Sequence, residues 1–288
     1  IDRYRSGLTM EMSYNGAIMH TVTKNMARVG QNCQGASRIF SMMVSCLLVM
    51  VCGVTSLAAQ DRGLTVYQVK TGKALGHFSG SYALVIGESA YKNTKSWPVL
   101  NGVKEDVVKV DNLLRSQGFE VTLALDLDSD ELMNTISKFI KKYGFEPMNR
   151  LLIYFSGHGM SLPLDGGRLM GYIVPVDAPD PFANQAAFQG SAIAMNQFDA
   201  WARQVSSRHM LIMFDSCFSG SVFVTTRAAM PPMIEEKTLK SVRQFISSGA
   251  ANEKVPDKSV FCSQFVRAIA EGSADYNKDG YVTGSELG

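Results

Sequence analysis

Two short segments carry residues suited to bond-breaking chemistry. One, Tyr154-Phe155-Ser156-Gly157-His158-Gly159, sets a histidine between two glycines; the other, Asp215-Ser216-Cys217-Phe218-Ser219-Gly220, places a cysteine among serines. A thiol becomes a strong nucleophile only on losing its proton, and a nearby imidazole can take that proton and later protonate a leaving amine. Glycines allow backbone N–H groups to come close to a substrate carbonyl oxygen, which is what oxyanion stabilisation requires. Taken singly, each residue has an ordinary explanation: a free cysteine is more often core than catalyst, and a lone loop histidine usually lies on the surface. The paired context changes that balance. Beyond residue 59 the histidines are His77, His158 and His209, and only His158 has glycine on both sides.

A third segment suits a metal. Asp275-Tyr276-Asn277-Lys278-Asp279-Gly280, followed by Glu286, fits the calcium loop of an EF-hand at every ligand position. Asp275, Asn277 and Asp279 would give side-chain oxygens, Tyr281 its carbonyl, and Glu286 a bidentate carboxylate. Thr283 would act through a water, and Gly280 allows the sharp turn. Calcium is the expected ion, the alternative being an acidic turn that binds nothing tightly. No cofactor is expected for catalysis.

The elements that must position these residues follow from periodicity. Residues 82–87, 151–155 and 209–214 are unbroken apolar runs and read as buried strands; 119–125 alternates like a strand, and 244–249 reads as a further one. Val103, Val107, Val110 and Leu114 give a helix with one apolar face, and Leu132, Ile136, Phe139 and Ile140 give a second, begun at Ser129. Phe198, Trp201, Ala202 and Val205 mark a third, and Phe261, Phe265 and Ile269 a last one. Continuously apolar strands alternating with helices predict an α/β fold, a three-layer α/β/α sandwich with a mainly parallel sheet. In such sheets functional groups gather at the carboxyl ends of strands, where both His158 and Cys217 fall.

Composition excludes several other classes. The 288 residues are 46% hydrophobic and 19% charged, with five cysteines and a formal charge of +2, so disordered, disulfide-stapled and strongly basic readings fail. No nucleic-acid partner is expected. Residues 39–59 hold no charge, with Arg28 and Arg38 upstream and Ser56-Leu57-Ala58-Ala59 at the end. The strongly apolar part, about 13 residues, suits a signal peptide better than a membrane span. The expectation is export, periplasmic or secreted, with cleavage near residue 59 and Met26 as the translation start; an uncleaved membrane anchor is the alternative. The leader holds five basic and two acidic residues, which leaves 23 basic against 24 acidic in residues 60–288.

Together the two central blocks resemble the active-site segments of the caspase-like (clan CD, peptidase C14) cysteine peptidases, and more closely their bacterial metacaspase-like branch. The strand Ala83-Leu84-Val85-Ile86-Gly87, the stretch from Leu100-Asn101-Gly102 to Asp106, and Gly171-Tyr172-Ile173-Val174-Pro175-Val176-Asp177 are also similar. The separation of His158 and Cys217 is near the roughly 50 residues of caspases. The resemblance, over residues 80–287, implies a caspase-like domain at 60–288. Its large part would be 80–221, a connector 222–240, the small part 241–274, and the metal loop 275–286.

The resemblance further implies that His158 is the general base and acid and Cys217 the nucleophile. The backbone N–H groups of Gly159 and Cys217 would hold the oxyanion. Cleavage would follow Arg or Lys, through a thioester acyl-enzyme, in polypeptide substrates. The matching specificity-pocket positions are Asp106, Ser156 and Asp215; a pair of carboxylates favours a cationic side chain. The alternative for Asp106 is a solvated helix position. Arg227, Lys237 and Lys240 in the connector are candidates for self-cleavage, the alternative being an ordinary loop. Two other functions stay open: an inactive caspase-like binding module, and another clan CD peptidase of legumain or gingipain type.

Overall fold

The three unbroken apolar runs become the three central strands of one sheet. The computed structural model describes residues 64–67, 74–164, 167–216, 241–248, 259–278 and 281–287, all within one compact unit. The expected leader and connector lie outside the described residues, as do Cys217, Arg227, Lys237, Lys240 and Asp279.

The described chain begins with an antiparallel hairpin, β1 (Leu64–Tyr67) and β2 (Ala74–Phe78). Then follow β3 (Gly80–Gly87), α1 (Val103–Ser116), β4 (Glu120–Leu125), α2 (Ser129–Tyr143) and β5 (Asn149–Ser156). A small insertion contains β6 (Gly159–Pro163), β7 (Leu169–Ile173), α3 (Gln185–Ser191) and β8 (Ile193–Ala194). The chain returns through α4 (Met195–Gln204), β9 (His209–Asp215), β10 (Val242–Ser247), α5 (Val260–Ala270) and a single turn, α6 (Gly284–Leu287).

The main sheet runs β10-β9-β5-β3-β4, and each of its four pairings is parallel. Its three inner strands are almost wholly buried, whereas β4 and β10 at the edges are partly exposed. Right-handed crossovers require α1, which leads outward from β3 to β4, to lie on one face; α2 and α4, which lead back through β5 to β9, take the other. The contacts agree. α1 packs beside the start of α5, where Ser259 N–H donates to Asp106, and the end of α2 meets the segment after α4 through Ser206 N–H to the Gly144 carbonyl. The expected three-layer α/β/α sandwich is the observed architecture.

Local signals fix the helix boundaries. Asp128 accepts from the Glu131 N–H at 3.0 Å while Glu131 accepts from the Asp128 N–H at 3.2 Å, a reciprocal cap that starts α2. Ser259 caps α5 through the Cys262 N–H at 2.9 Å. Val205, expected within the third helix, is instead its extended C-cap residue, although its side chain is buried.

The antiparallel sheet β6-β7-β8 is the largest element that periodicity does not reveal, because its strands are short and only partly apolar. It covers a second, smaller core of Tyr91, Trp97, Leu162, Tyr172, Val174 and Phe188, separate from the main one. Among the described residues no helix is long and apolar enough to cross a membrane.

Candidate active site

Gly87, Ser156 and Asp215 are register partners across β3, β5 and β9, so three adjacent strands end at one level. Gly157 and Ser216, the residues that follow β5 and β9, lie side by side at the carboxyl edge of the sheet. Gly157 N–H donates to the Asp215 carbonyl at 3.4 Å, and the Ser216 hydroxyl donates to the Gly157 carbonyl. Ser216 N–H in turn donates to Ser248 Oγ at 3.0 Å, beyond the end of β10. The residues that directly precede His158 and Cys217 are thus bonded to each other. A Cβ on Gly157 would come within 2.9 Å of both the Glu88 Cβ and the Tyr91 hydroxyl, so close packing demands glycine there.

His158 is held by the 88–102 segment. Its Nε2 lies 2.7 Å from the Pro98 carbonyl. A carbonyl oxygen can only accept, so Nε2 carries the proton and Nδ1 keeps a lone pair. The His158 N–H donates to the Tyr91 hydroxyl at 2.7 Å, and the imidazole packs at centroid distances of 4.7 Å from Tyr91 and 5.7 Å from Trp97. Burial lowers the imidazole pKa, and the Pro98 carbonyl opposes this only in part. The ring is therefore a neutral base near pH 7. Trp97 is itself fixed: its indole N–H donates to the Ala178 carbonyl at 3.0 Å, and its ring stacks 5.7 Å from Phe188.

Gly159 opens β6. Val174 N–H donates to the His158 carbonyl at 3.1 Å, which makes His158/Val174 a hydrogen-bonded position of the ladder and Gly159/Ile173 the next, non-bonded one. The Gly159 N–H is consequently directed away from β7, and β6 is the outer strand of its sheet. That orientation suits an oxyanion donor.

The three expected pocket residues lie close in the fold. Ser156 and Asp215 are register partners, and Asp106 acts electrostatically on Asp215. Asp215 accepts from the Tyr154 hydroxyl at 2.8 Å. Burial raises its carboxyl pKa, with the nearby Asp106 charge pushing the same way. Asp106 is no solvated helix residue: it is 4% exposed and accepts from Ser259 N–H and from Lys109, each at 3.2 Å. The buried Cys262 thiol is pushed up to about 12 by burial, then by Asp106 and Asp215, which makes it unreactive.

The metal-loop residues are placed in part. Asp275, Asn277, Tyr281 and Glu286 are described, and Val282 anchors the loop in the main core. Glu286 Oε2 accepts from the Thr283 N–H at 2.7 Å, while Glu286 Oε1 and Thr283 Oγ1 are buried with no hydrogen-bond partner among the described residues. Unpartnered oxygens at loop positions nine and twelve fit a cation held by the loop.

Sequence reasoning missed Tyr91, Trp97 and Pro98, which hold His158, and Glu88, whose Cβ lies against Gly157. Their signal was available: they follow the first strand of the sheet at its carboxyl end, and two aromatic residues in a polar loop imply a buried purpose.

Among solved structures the chain is similar to a protein from Geobacter sulfurreducens, with 19% identity, a TM-score of 0.47, and coverage of 67% of this chain and 83% of that one. It is also similar to caspase-1 from Spodoptera frugiperda, with 14% identity, a TM-score of 0.45, and coverage of 66% and 70%. No curated protein sequence matches it. The family model for the caspase domain, peptidase C14, matches residues 81–279, well over half of the chain. This chain belongs to the caspase-domain family of cysteine peptidases, whose substrates are polypeptides.

Proposed function

We propose that the protein is a cysteine endopeptidase of the bacterial metacaspase-like branch that cleaves after Arg or Lys, with His158 and Cys217 as its dyad. The observation that carries this reading is the Nε2 bond of His158 to Pro98, which leaves Nδ1 as the basic nitrogen, while the Ser216 hydroxyl ties the residue before Cys217 to the Gly157 carbonyl. In the first half-reaction Nδ1 takes the Cys217 proton, and the thiolate attacks the scissile carbonyl carbon. The oxyanion is held by the N–H groups of Gly159 and Cys217. The imidazolium then protonates the leaving amine as the C–N bond breaks, giving a thioester. Water, deprotonated by the same nitrogen, attacks the thioester; the C–S bond breaks, and the thiolate recovers the proton.

Support for a basic preference comes from charge. Asp215 and Asp106 are both buried, and each would be stabilised by a guanidinium or ammonium brought beside them and Ser156. The test is a fluorogenic peptide panel with Arg, Lys, Asp or Asn at the cleaved position, run on wild type and Cys217→Ala. We expect turnover that needs Cys217 and favours Arg or Lys at least tenfold. Equal rates in the two proteins would overturn the mechanism, and an Asp preference would overturn the pocket assignment.

A calcium reading is favoured by Thr283 Oγ1 and Glu286 Oε1, which are buried without a partner among the described residues. Asp275, Asn277, Asp279, the Tyr281 carbonyl and Glu286 would hold the ion, which would cross-link the loop onto the core and take no part in bond cleavage. Calorimetry at millimolar calcium tests it; heat for wild type and none for Glu286→Gln is the expected result. We also propose export through the 1–59 leader, and self-cleavage after Arg227, Lys237 or Lys240. N-terminal sequencing of secreted material and of incubated enzyme would check both.

A further inference from the structure

We propose that Tyr91 is a positioning residue for His158 and Gly159, a role that rests on the peptidase reading above. Its hydroxyl accepts from the His158 N–H at 2.7 Å and donates to the Val174 carbonyl at 3.3 Å. These are the two groups that a regular antiparallel ladder would bond to each other, because a hydrogen-bonded pair exchanges both bonds and the Val174 N–H already donates to the His158 carbonyl. The phenol oxygen thus occupies one missing rung. It holds the start of β6 away from β7 at the residue that bears the imidazole, one residue before the Gly159 N–H.

The hydroxyl cannot drift from this place. The Tyr91 ring is buried in the second core and lies 4.7 Å from the imidazole, and the space that a Cβ on Gly157 would fill touches the same oxygen. Burial also keeps the phenol protonated far above its ordinary range, so it donates to Val174 throughout any working pH. Removing the oxygen leaves two choices. Either the His158 N–H and Val174 carbonyl stay buried without partners, or the pair closes directly and draws His158 toward β7. The first leaves the His158 N–H with no bond to fix it at the required place; the second draws the imidazole from its bond to Pro98 and turns the Gly159 N–H.

The test compares wild type with Tyr91→Phe, which keeps the ring and loses only the oxygen. Reactive Cys217 sites are counted by complete labelling with a peptidyl chloromethyl ketone, and kcat per labelled site, KM and Tm are measured with the fluorogenic panel. We expect kcat per site to fall at least tenfold with KM within twofold, because substrate still binds while base and oxyanion donor are misplaced. A Tyr91→Phe kcat per site within twofold of wild type overturns the role, including the case in which only Tm or the labelled fraction falls. Absence of Cys217-dependent turnover in wild type overturns the peptidase reading itself, and the role with it.

Discussion

The hydroxyl of Ser216 donates to the carbonyl of Gly157 across the ends of β9 and β5, joining the two segments from which the histidine and the cysteine emerge. The bond is buried, with Ser216 only 1% exposed, and no second hydroxyl is bonded to that carbonyl among the described residues. It spans residues far apart in sequence, so only the parallel sheet makes it available.

Ser216→Ala should therefore loosen the site more than its size suggests. Orphaning a buried carbonyl costs about 1–2 kcal/mol. Urea unfolding should show that loss as a lower midpoint at an unchanged slope, and turnover of the best panel peptide should fall. Unchanged stability together with unchanged turnover would show the bond to be dispensable.

Gly157→Ala places a methyl group 2.9 Å from the Glu88 Cβ and the Tyr91 hydroxyl, below any ordinary contact distance. Overpacking of this kind costs about 1–3 kcal/mol. Since the hydroxyl must give way, kcat should fall together with the melting temperature. Full activity in Gly157→Ala would indicate that the hydroxyl position is not critical.

Glu88 gives a pH signature. It is fully buried, and burial pushes its carboxyl from 4.5 up to about 9, with Asp126, Asp177 and Glu131 adding in the same direction and the Leu127 backbone pulling down. The folded protein keeps this proton up to pH about 9, whereas the unfolded chain releases it near 4.5. The contribution is fully present below the unfolded value and is lost as pH rises toward 9, at up to about 1.4 kcal/mol per pH unit. Glu88→Gln, neutral and of equal size, should flatten the dependence and raise stability at pH 8. Identical stability profiles between pH 5 and 9 would contradict the assignment.

Arg243 closes the far end of the sheet. Its guanidinium donates to the carbonyls of Ala202 at 2.7 Å, Arg208 at 2.9 Å, and Val205 and Val242 at 3.0 Å. Arg243→Ala should cost about 1–3 kcal/mol, seen as a drop of about 2–4 °C in Tm per kcal/mol. Arg243→Lys should recover little, because an ammonium lacks the planar fork that reaches several carbonyls at once. Equal melting of wild type and alanine variant would remove this role.

Much of the fold was legible in the chain because burial on both faces leaves a direct mark. The runs around Val85, Ile153 and Ile212 are apolar without a break, and they became the three inner strands. Helix phases were equally readable from Val103 to Leu114 and from Leu132 to Ile140, since one buried face imposes its period. His158 stood out through its glycines, and the reason for one of them, Gly157, is the crowding by Glu88 and Tyr91.

What no local pattern could convey was the company these residues keep. Tyr91 and Val174 lie 83 residues apart, and Ser259 reaches Asp106 across 153. The tautomer of His158 depends on a carbonyl 60 positions earlier, at Pro98. Sequence by itself determined the residue types, the strand and helix phases, and the two segments bearing chemistry, because each leaves a short-range trace in polarity or backbone freedom. Tertiary structure alone decided which nitrogen of His158 is free, which way the Gly159 N–H points and which oxygen holds them there, because each is set by a hydrogen bond between segments that meet only when the sheet closes.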